Sequence, residues 1–106
     1  MNLQSFIQEI DNFISSLLSS EIYLKYKELD LEISSDSEIA SLVKERNSFY
    51  DSFSLDRSKK EDLVSAKKIH DKIISLPKVK EYYYYQKKIR DILSIINEQI
   101  YKEVFL

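Results

Sequence analysis

Apolar residues recur every three or four positions along almost the whole chain, which is the spacing typical of α-helices. The first stretch shows this spacing clearly and predicts helix one. Its apolar positions are Leu3, Phe6, Ile7, Ile10, Phe13, Ile14, Leu17 and Leu18. Ser19 and Ser20 then interrupt the pattern, and a serine oxygen there can accept hydrogen bonds from the free N–H groups of a second helix. The apolar positions of helix two are Ile22, Tyr26, Leu29 and Ile33.

Serine and acidic residues mark the beginning of the third helix. Ser35 and Glu38 have the spacing of a reciprocal capping box, and Asp36 is an alternative cap. The apolar positions of helix three are Ile39, Leu42, Val43, Phe49 and Tyr50.

A polar stretch over residues 51–60 predicts the main loop of the chain. Ser58 and Glu61 repeat the capping-box spacing at its end, which predicts the beginning of helix four. That helix presents Leu63, Ala66, Ile69 and Ile73. It should end near Ser75 or Leu76, because a residue before proline is disfavoured in the helical conformation. Pro77 suits the first turn of helix five.

Helix five is predicted from Pro77 to about Val104, a length of about 42 Å at 1.5 Å per residue. A globule of this chain length is only about 33 Å across. The apolar residues of helix five also spread over about half of its circumference, which is wider than one packing contact needs. They are Val79, Tyr82, Tyr85, Ile89, Ile92, Leu93, Ile96, Ile100 and Val104. We interpret this arc as serving both a neighbour in the chain and a partner helix; the alternative is that helices one to four cover all of it.

Four consecutive tyrosines, residues 82–85, point in four directions about 100° apart on a helix and cannot share one buried face. Tyrosine is enriched at protein interfaces, so Tyr83 and Tyr84 form a candidate contact patch. The alternative is two core tyrosines and two solvated ones. The candidate protein–protein interface consists of Tyr82, Tyr83, Tyr84, Tyr85, Ile89, Ile92, Ile96 and Ile100.

Composition limits the chemistry that the chain can perform. The 106 residues suit a single domain, residues 1–106. There is no cysteine, no glycine and one histidine, which argues against thiolate metal sites, Gly-rich phosphate loops and histidine-centred catalysis. His70 is interpreted as a boundary residue rather than a metal ligand. We therefore assign no catalytic residue, no metal ligand and no cofactor, and expect the chain not to be an enzyme.

Net charge indicates which partners the chain can attract, and hydropathy indicates where in the cell it is located. Sixteen basic and eighteen acidic residues give a formal net charge of −2, so direct binding to nucleic acid is not expected. No segment approaches the roughly 18 uninterrupted apolar residues of a membrane helix. The first apolar stretch contains Glu9 and Asp11 and follows no basic leader, unlike a signal peptide. We expect a soluble, cytoplasmic protein without membrane insertion.

From Ser75 the chain reads S-L-P-K-V-K-E-Y-Y-Y-Y-Q-K-K-I-R-D-I-L-S-I-I-N-E-Q-I-Y-K-E-V. This stretch resembles the C-terminal half of the YlbF/YmcA family of small bacterial helical proteins. Residues 20–27 and 35–43 also resemble the family's second helix and its acid-capped turn with the following helix. The matching positions in the C-terminal half are Pro77, Val79, Glu81, Tyr82, Gln86, Ile89, Asp91, Leu93 and Ile96.

The resemblance implies an all-α protein, dimeric, that serves as a non-catalytic subunit or adaptor. Relatives join a complex with YlbF- and YaaT-type partners that promotes competence, sporulation and biofilm development. That complex is linked to RNA processing through the membrane-tethered ribonuclease Y. Many relatives have Asn or Asp before the proline, where this chain has Leu76. Any iron–sulfur cluster in the complex would need thiolates from other subunits, because this chain has no cysteine.

The sequence therefore predicts an antiparallel all-α bundle of about five helices with a long C-terminal helix. The predicted function is that of a regulatory adaptor in a cytoplasmic complex. The alternative is an RNA-associated accessory protein that contacts nucleic acid directly through lysine pairs such as Lys87 and Lys88.

Overall fold

Five α-helices joined by short connections make up the computed structural model, which describes residues 2–106. No strand occurs in this described part of the chain, and the all-α prediction is confirmed. The helices are α1 (Leu3–Leu18), α2 (Glu21–Ser34), α3 (Ser37–Leu55), α4 (Lys60–Ser75) and α5 (Pro77–Phe105).

Side-chain caps define where the second and third helices begin. The hydroxyl of Ser20 accepts a hydrogen bond from the backbone N–H of Tyr23 at 3.2 Å, as the serine break predicts. Asp36 is the cap of α3, because its Oδ1 accepts from the backbone N–H of Ile39 at 3.0 Å. The Ser35 hydroxyl donates instead to the carbonyl oxygen of Leu31 at 2.9 Å. Of the two predicted caps for α3, the structure therefore selects the aspartate.

The predicted loop over residues 51–60 is wrong in extent, because α3 continues to Leu55 and the connection is only residues 56–59. Packing explains the difference: Ser52 and Phe53 are half-buried, and the Ser52 hydroxyl donates to Asp62 Oδ2 at 2.6 Å. The predicted capping box at Ser58 is also wrong. Ser58 donates its hydroxyl to Asp56 Oδ1 at 2.6 Å, and α4 begins after Lys59 without a side-chain cap.

The boundary at the proline is confirmed. α4 ends at Ser75, and Leu76 has an extended backbone with φ −65° and ψ 136°. Pro77 is the first residue of α5, which runs for 29 residues to Phe105. Proline suits this position because the first N–H groups of a helix have no partner within the helix.

Residues 29–83 form one compact unit, which we call the core unit. It contains all of α3 and α4, the end of α2 and the beginning of α5. α3 and α4 run antiparallel, with Ser52 against Asp62 near the connection and Arg46 against His70 farther along. Every residue that is fully buried in the described part of the chain lies in this unit. These residues are Leu29, Ile39, Ala66, Ile73 and Val79.

Residues 2–28 and 84–106 belong to the second compact unit, which we call the paired-helix unit. Here α1 and the second half of α5 run antiparallel, since residues 6–13 share a groove with residues 96–103. None of the described residues of this unit is fully buried. Half-buried aliphatic and phenylalanine residues of α1 and of the second half of α5 recur every three or four positions, as in the narrow seam of a coiled coil. They are Phe6, Ile10, Phe13 and Leu17 of α1, and Ile89, Ile92, Ile96 and Ile100 of α5.

Candidate protein–protein interface

The four tyrosines of α5 divide into two exposed and two half-buried side chains. Tyr83 is 48% exposed and Tyr84 is 55% exposed, while Tyr82 and Tyr85 are half-buried. Rings of neighbouring tyrosines pack edge to face, with centroids 5.4 Å apart for Tyr82 and Tyr83 and 5.2 Å apart for Tyr84 and Tyr85. The helix therefore presents two large aromatic side chains to solvent, each held by a neighbouring ring.

Tyr84 and Tyr85 lie in a polar-edged depression of the paired-helix unit, beside the first turns of α2. The ammonium of Lys88 lies 4.9 Å from the centroid of the Tyr84 ring, in cation–π geometry. The residues that line the depression are Glu21, Ile22, Lys25, Tyr84, Tyr85 and Lys88. Aromatic rings beside charges of both signs give a surface that can make apolar and polar contacts with a protein partner.

The isoleucines of the candidate interface lie along the seam of the paired-helix unit. Ile96 and Ile100 line an apolar groove of about 240 Å³ together with Phe6, Ile10 and Phe13 of α1. Ile89 and Ile92 are half-buried on the same side of α5. The structure thus brings these four residues onto one side of the helix, where their inner surfaces pack against the chain itself.

A second exposed apolar surface lies beside this seam, and only its two residues on α5 belong to the apolar arc that the sequence analysis assigns to a partner helix. It combines residues of both helices of the paired-helix unit. They are Leu3, Ile7, Ile14 and Leu18 of α1, and Leu93 and Val104 of α5. The sequence feature that indicates this surface is the width of the apolar arc. Both α1 and α5 carry more apolar residues than the seam between them can bury.

The core unit carries a separate electrostatic feature at the beginning of α3. Lys78 Nζ lies 2.8 Å from Asp36 Oδ2. The hydrogen bond from Lys78, and next the one from the Ile39 N–H, lower the pKa of the Asp36 carboxyl. The same bond to Asp36 raises the pKa of Lys78. Both side chains are partly exposed, so this pair joins elements of the core unit and does not form an enclosed reactive site.

His70 lies between α3 and α4, with its Nδ1 3.2 Å from Nη1 of Arg46. Because a guanidinium can only donate, Nδ1 is the acceptor in this contact. The described residues contain no group of three or more His, Cys, Asp or Glu that could hold a metal ion. His70 is therefore placed as a half-buried contact residue.

No helix in the described residues is both long enough and apolar enough to cross a membrane.

Comparisons with curated proteins and with solved structures give no match for this chain. A family model described as control of competence regulator ComK, YlbF/YmcA, matches residues 2–104. This description is that of a regulatory family and not of a known enzyme family. Because the match covers almost the whole chain, the protein belongs to the YlbF/YmcA family.

Proposed function

We propose that this protein is a non-catalytic regulatory adaptor, a single-domain subunit that acts by binding other proteins in a cytoplasmic complex. Membership of a family described by control of a competence regulator supports a regulatory role. The observation that carries the adaptor role is the exposed aromatic pair on α5. About half of the surface of each of Tyr83 and Tyr84 is exposed to solvent and is free to contact a partner. Large aromatic side chains at a surface are frequent anchors of protein–protein contacts.

The proposed partners are YlbF- and YaaT-like proteins and ribonuclease Y, in a heteromeric complex that is linked to RNA processing through that ribonuclease. In this arrangement α5 supplies the contact surface and the tyrosines supply specificity. The proposed outputs are competence, sporulation and biofilm formation. A homodimer of this chain, formed through the apolar arc of α5, is part of the proposed assembly, because two-fold dimers are the commonest oligomers.

Co-purification from the native cytoplasm tests this proposal. A tagged wild-type chain is expected to retain YaaT- and YlbF-like proteins, and a Tyr83→Ser/Tyr84→Ser variant is expected to lose most of them. Tyr101→Ser is the matched control, since Tyr101 is another exposed tyrosine of α5. Equal retention by all three chains would show that the tyrosine pair is not the contact. Failure of the wild-type chain to retain either partner would overturn the adaptor role.

A further inference from the structure

We infer that the outward side of α4 is a second docking surface, and that it binds an acidic amphipathic helix of a partner protein. This surface, which we call the α4 face, consists of six exposed residues. They are Lys60, Val64, Lys67, Lys68, Lys72 and Ile74. The inference goes beyond the proposed function, in which α5 supplies the contact surface, because the α4 face lies in the core unit. An adaptor joins at least two proteins, and the α4 face provides a place for the second of them.

Val64 lies at the centre of this face. Ala66 and Ile73 are fully buried and define the inner side of α4. At about 100° per residue, Val64 points about 170° away from their mean direction. The side chain is 52% exposed, and Ile74, at one edge of the face, is 37% exposed. These two aliphatic residues lie outside the buried core, so their exposed surfaces are available to a partner.

Lysine side chains surround Val64 on the surface of the helix. Lys60 lies four residues before Val64, and Lys67 and Lys68 lie three and four residues after it. Residues at these spacings are neighbours on a helix. Lys72 continues the row by one more turn. A partner that covers Val64 therefore meets several ammonium groups around the contact.

None of these four lysines forms a salt bridge within the described part of the chain. By contrast, Lys78, Lys87 and Lys102 pair with carboxylates at 2.8, 3.0 and 3.3 Å. Lys68 and Lys72 are also four residues apart, a spacing at which like charges lower the stability of a helix. The chain by itself leaves this repulsion uncompensated, whereas an anionic partner compensates it.

Acidic residues on the outward side of α4 are fewer than the lysines. Glu61 and Asp71 are exposed there, and neither forms a salt bridge with a described residue. Glu61 lies in the first turn of α4, where the helix dipole stabilises a negative charge. Residues 57–72 contain six basic and three acidic residues, in a chain whose net charge is −2. Positive charge is therefore concentrated on this segment, and its complement is an acidic partner.

The apolar centre favours a protein helix over other anionic partners. A nucleic-acid phosphate backbone pairs with lysines but leaves Val64 uncovered. Binding to an anionic membrane surface requires a broad apolar face, and the α4 face offers only Val64 and Ile74. An amphipathic helix covers Val64 with its apolar stripe and places carboxylates beside the lysines. α4 has 16 residues and a length of about 24 Å, which is enough to pack about four turns of such a helix.

Site-specific photocross-linking identifies the occupant, because the chain has no cysteine of its own. Val64→Cys is labelled with benzophenone maleimide, mixed with an extract of the native cells and irradiated. Mass spectrometry then identifies the cross-linked peptide. We expect a segment with net negative charge and with apolar residues at every third or fourth position. Ser48→Cys, at an exposed position of α3, is labelled in the same way and measures unspecific cross-linking.

Charge reversal tests the contribution of the lysines. Lys67→Glu/Lys68→Glu in the labelled Val64→Cys chain should lower the yield of the adduct about tenfold, because like charges across an interface are strongly unfavourable. Lys44→Glu/Lys80→Glu is the matched control and should leave the yield unchanged. It makes the same change of charge at two exposed lysines of the core unit that lie outside the α4 face. Far-UV circular dichroism checks that both variants remain helical.

Four results would overturn the acidic helix as the occupant of the α4 face. They are an adduct that ribonuclease destroys, an adduct with a lipid or with a second copy of this chain, a cross-linked peptide without excess acidic residues, and labelling from Val64→Cys no stronger than from Ser48→Cys. An acidic adduct with undiminished yield in the Lys67→Glu/Lys68→Glu chain would overturn the role of the lysines.

The tyrosine pair separates this inference from the proposed function. A Tyr83→Ser/Tyr84→Ser chain labelled at Val64→Cys should lose YaaT- and YlbF-like proteins and keep the acidic adduct. Loss of the adduct from this chain would overturn the α4 face as an independent surface. An acidic adduct together with failure of the wild-type chain to retain YaaT- or YlbF-like proteins would support the α4 face and overturn the proposed function.

Discussion

One carboxylate, that of Asp36, caps α3 and also binds the second residue of α5. Its Oδ1 accepts the backbone N–H of Ile39 at 3.0 Å, and its Oδ2 accepts the ammonium of Lys78 at 2.8 Å. Both bonds favour the ionised form of the carboxylate, which is why the pKa of Asp36 is lowered.

Asp36 should make the stability of the fold depend on pH in acid. Its folded-state pKa is lower than the ordinary value of 3.8, so the ionised group stabilises the fold above pH 3.8. That contribution is lost as the pH falls below 3.8 through the folded-state pKa. Asp36→Asn keeps a good helix cap but removes the charge. We expect the variant to have a lower Tm near pH 6 and a flatter decline of Tm towards pH 3.

Thermal unfolding by circular dichroism between pH 3 and pH 6 measures this difference. Asp51→Asn, at an exposed position of α3, controls for the loss of one negative charge. If the curves of the Asp36→Asn variant and the wild type ran parallel over this range, the ion pair would not contribute to acid stability.

Ser52→Ala tests why α3 is longer than the sequence predicts. The variant loses the 2.6 Å hydrogen bond to Asp62 that joins the end of α3 to the beginning of α4. We expect the free energy of unfolding to fall by about 1 kcal/mol, as is usual for one such bond. Urea unfolding measures this change, and Ser54→Ala at an exposed neighbouring position should be close to neutral. Equal effects of the two substitutions would contradict the structural role of Ser52.

Ile73→Ala tests the centre of the core unit. Ile73 is fully buried and clusters with Ile39 and Val79, so its truncation leaves a cavity. The free energy of unfolding should fall by about 2–5 kcal/mol. The adjacent Ile74 is 37% exposed, and Ile74→Ala should cost clearly less. A similar loss in both variants would mean that the burial pattern of α4 is misassigned.

Hydrogen exchange should distinguish the two compact units. Residues in the core unit pack around fully buried side chains, whereas the described residues of the paired-helix unit do not. Local opening is easiest where few apolar contacts are buried. In dilute protein we therefore expect the amides of α1 to exchange faster than those of α3 and α4. Exchange at similar rates throughout would show that both units open together.

Ile96→Asp tests the candidate interface on α5. The proposed homodimer buries the apolar arc of α5, so an aspartate in place of Ile96 would bury an unpaired charge, and the variant should reduce any dimer. Ile100→Asp should act in the same way. Ile95→Asp is the control, because Ile95 is an exposed neighbour. Light scattering measures the mass, and far-UV circular dichroism checks that the helices remain. Unchanged assembly of soluble, folded Ile96→Asp and Ile100→Asp variants would refute this placement of the interface.

The local signals of the sequence were sufficient for most helix boundaries. Ser20, Asp36 and Pro77 act through their own backbone neighbours, so their effects can be predicted without knowing the tertiary structure. Ser58 was wrongly predicted to cap α4, because its hydroxyl instead donates a hydrogen bond to Asp56, two residues away. The end of α3 was missed because Asp62, ten residues away, stabilises it. Tertiary contacts of this kind leave no local pattern.

The surface of the paired-helix unit shows a different reason for incomplete prediction. Leu3 and Phe6 follow the same helical rhythm, yet Phe6 packs in the seam and Leu3 is exposed. Only the direction from which α5 approaches distinguishes them, and periodicity does not contain that direction. The exposure of Tyr83 and Tyr84 was easier to anticipate, because four consecutive helical residues cannot all face one neighbour.

The short connection between α3 and α4 offers a practical means of dividing the chain. Residues 56–59 are exposed, and Arg57 and Lys59 are cleavage sites for trypsin. The two helices that flank them pack against each other along their length. A protein nicked there would lose a covalent link without losing that packing, so residues 1–57 and the remaining fragment are suited to reconstitution as a split protein.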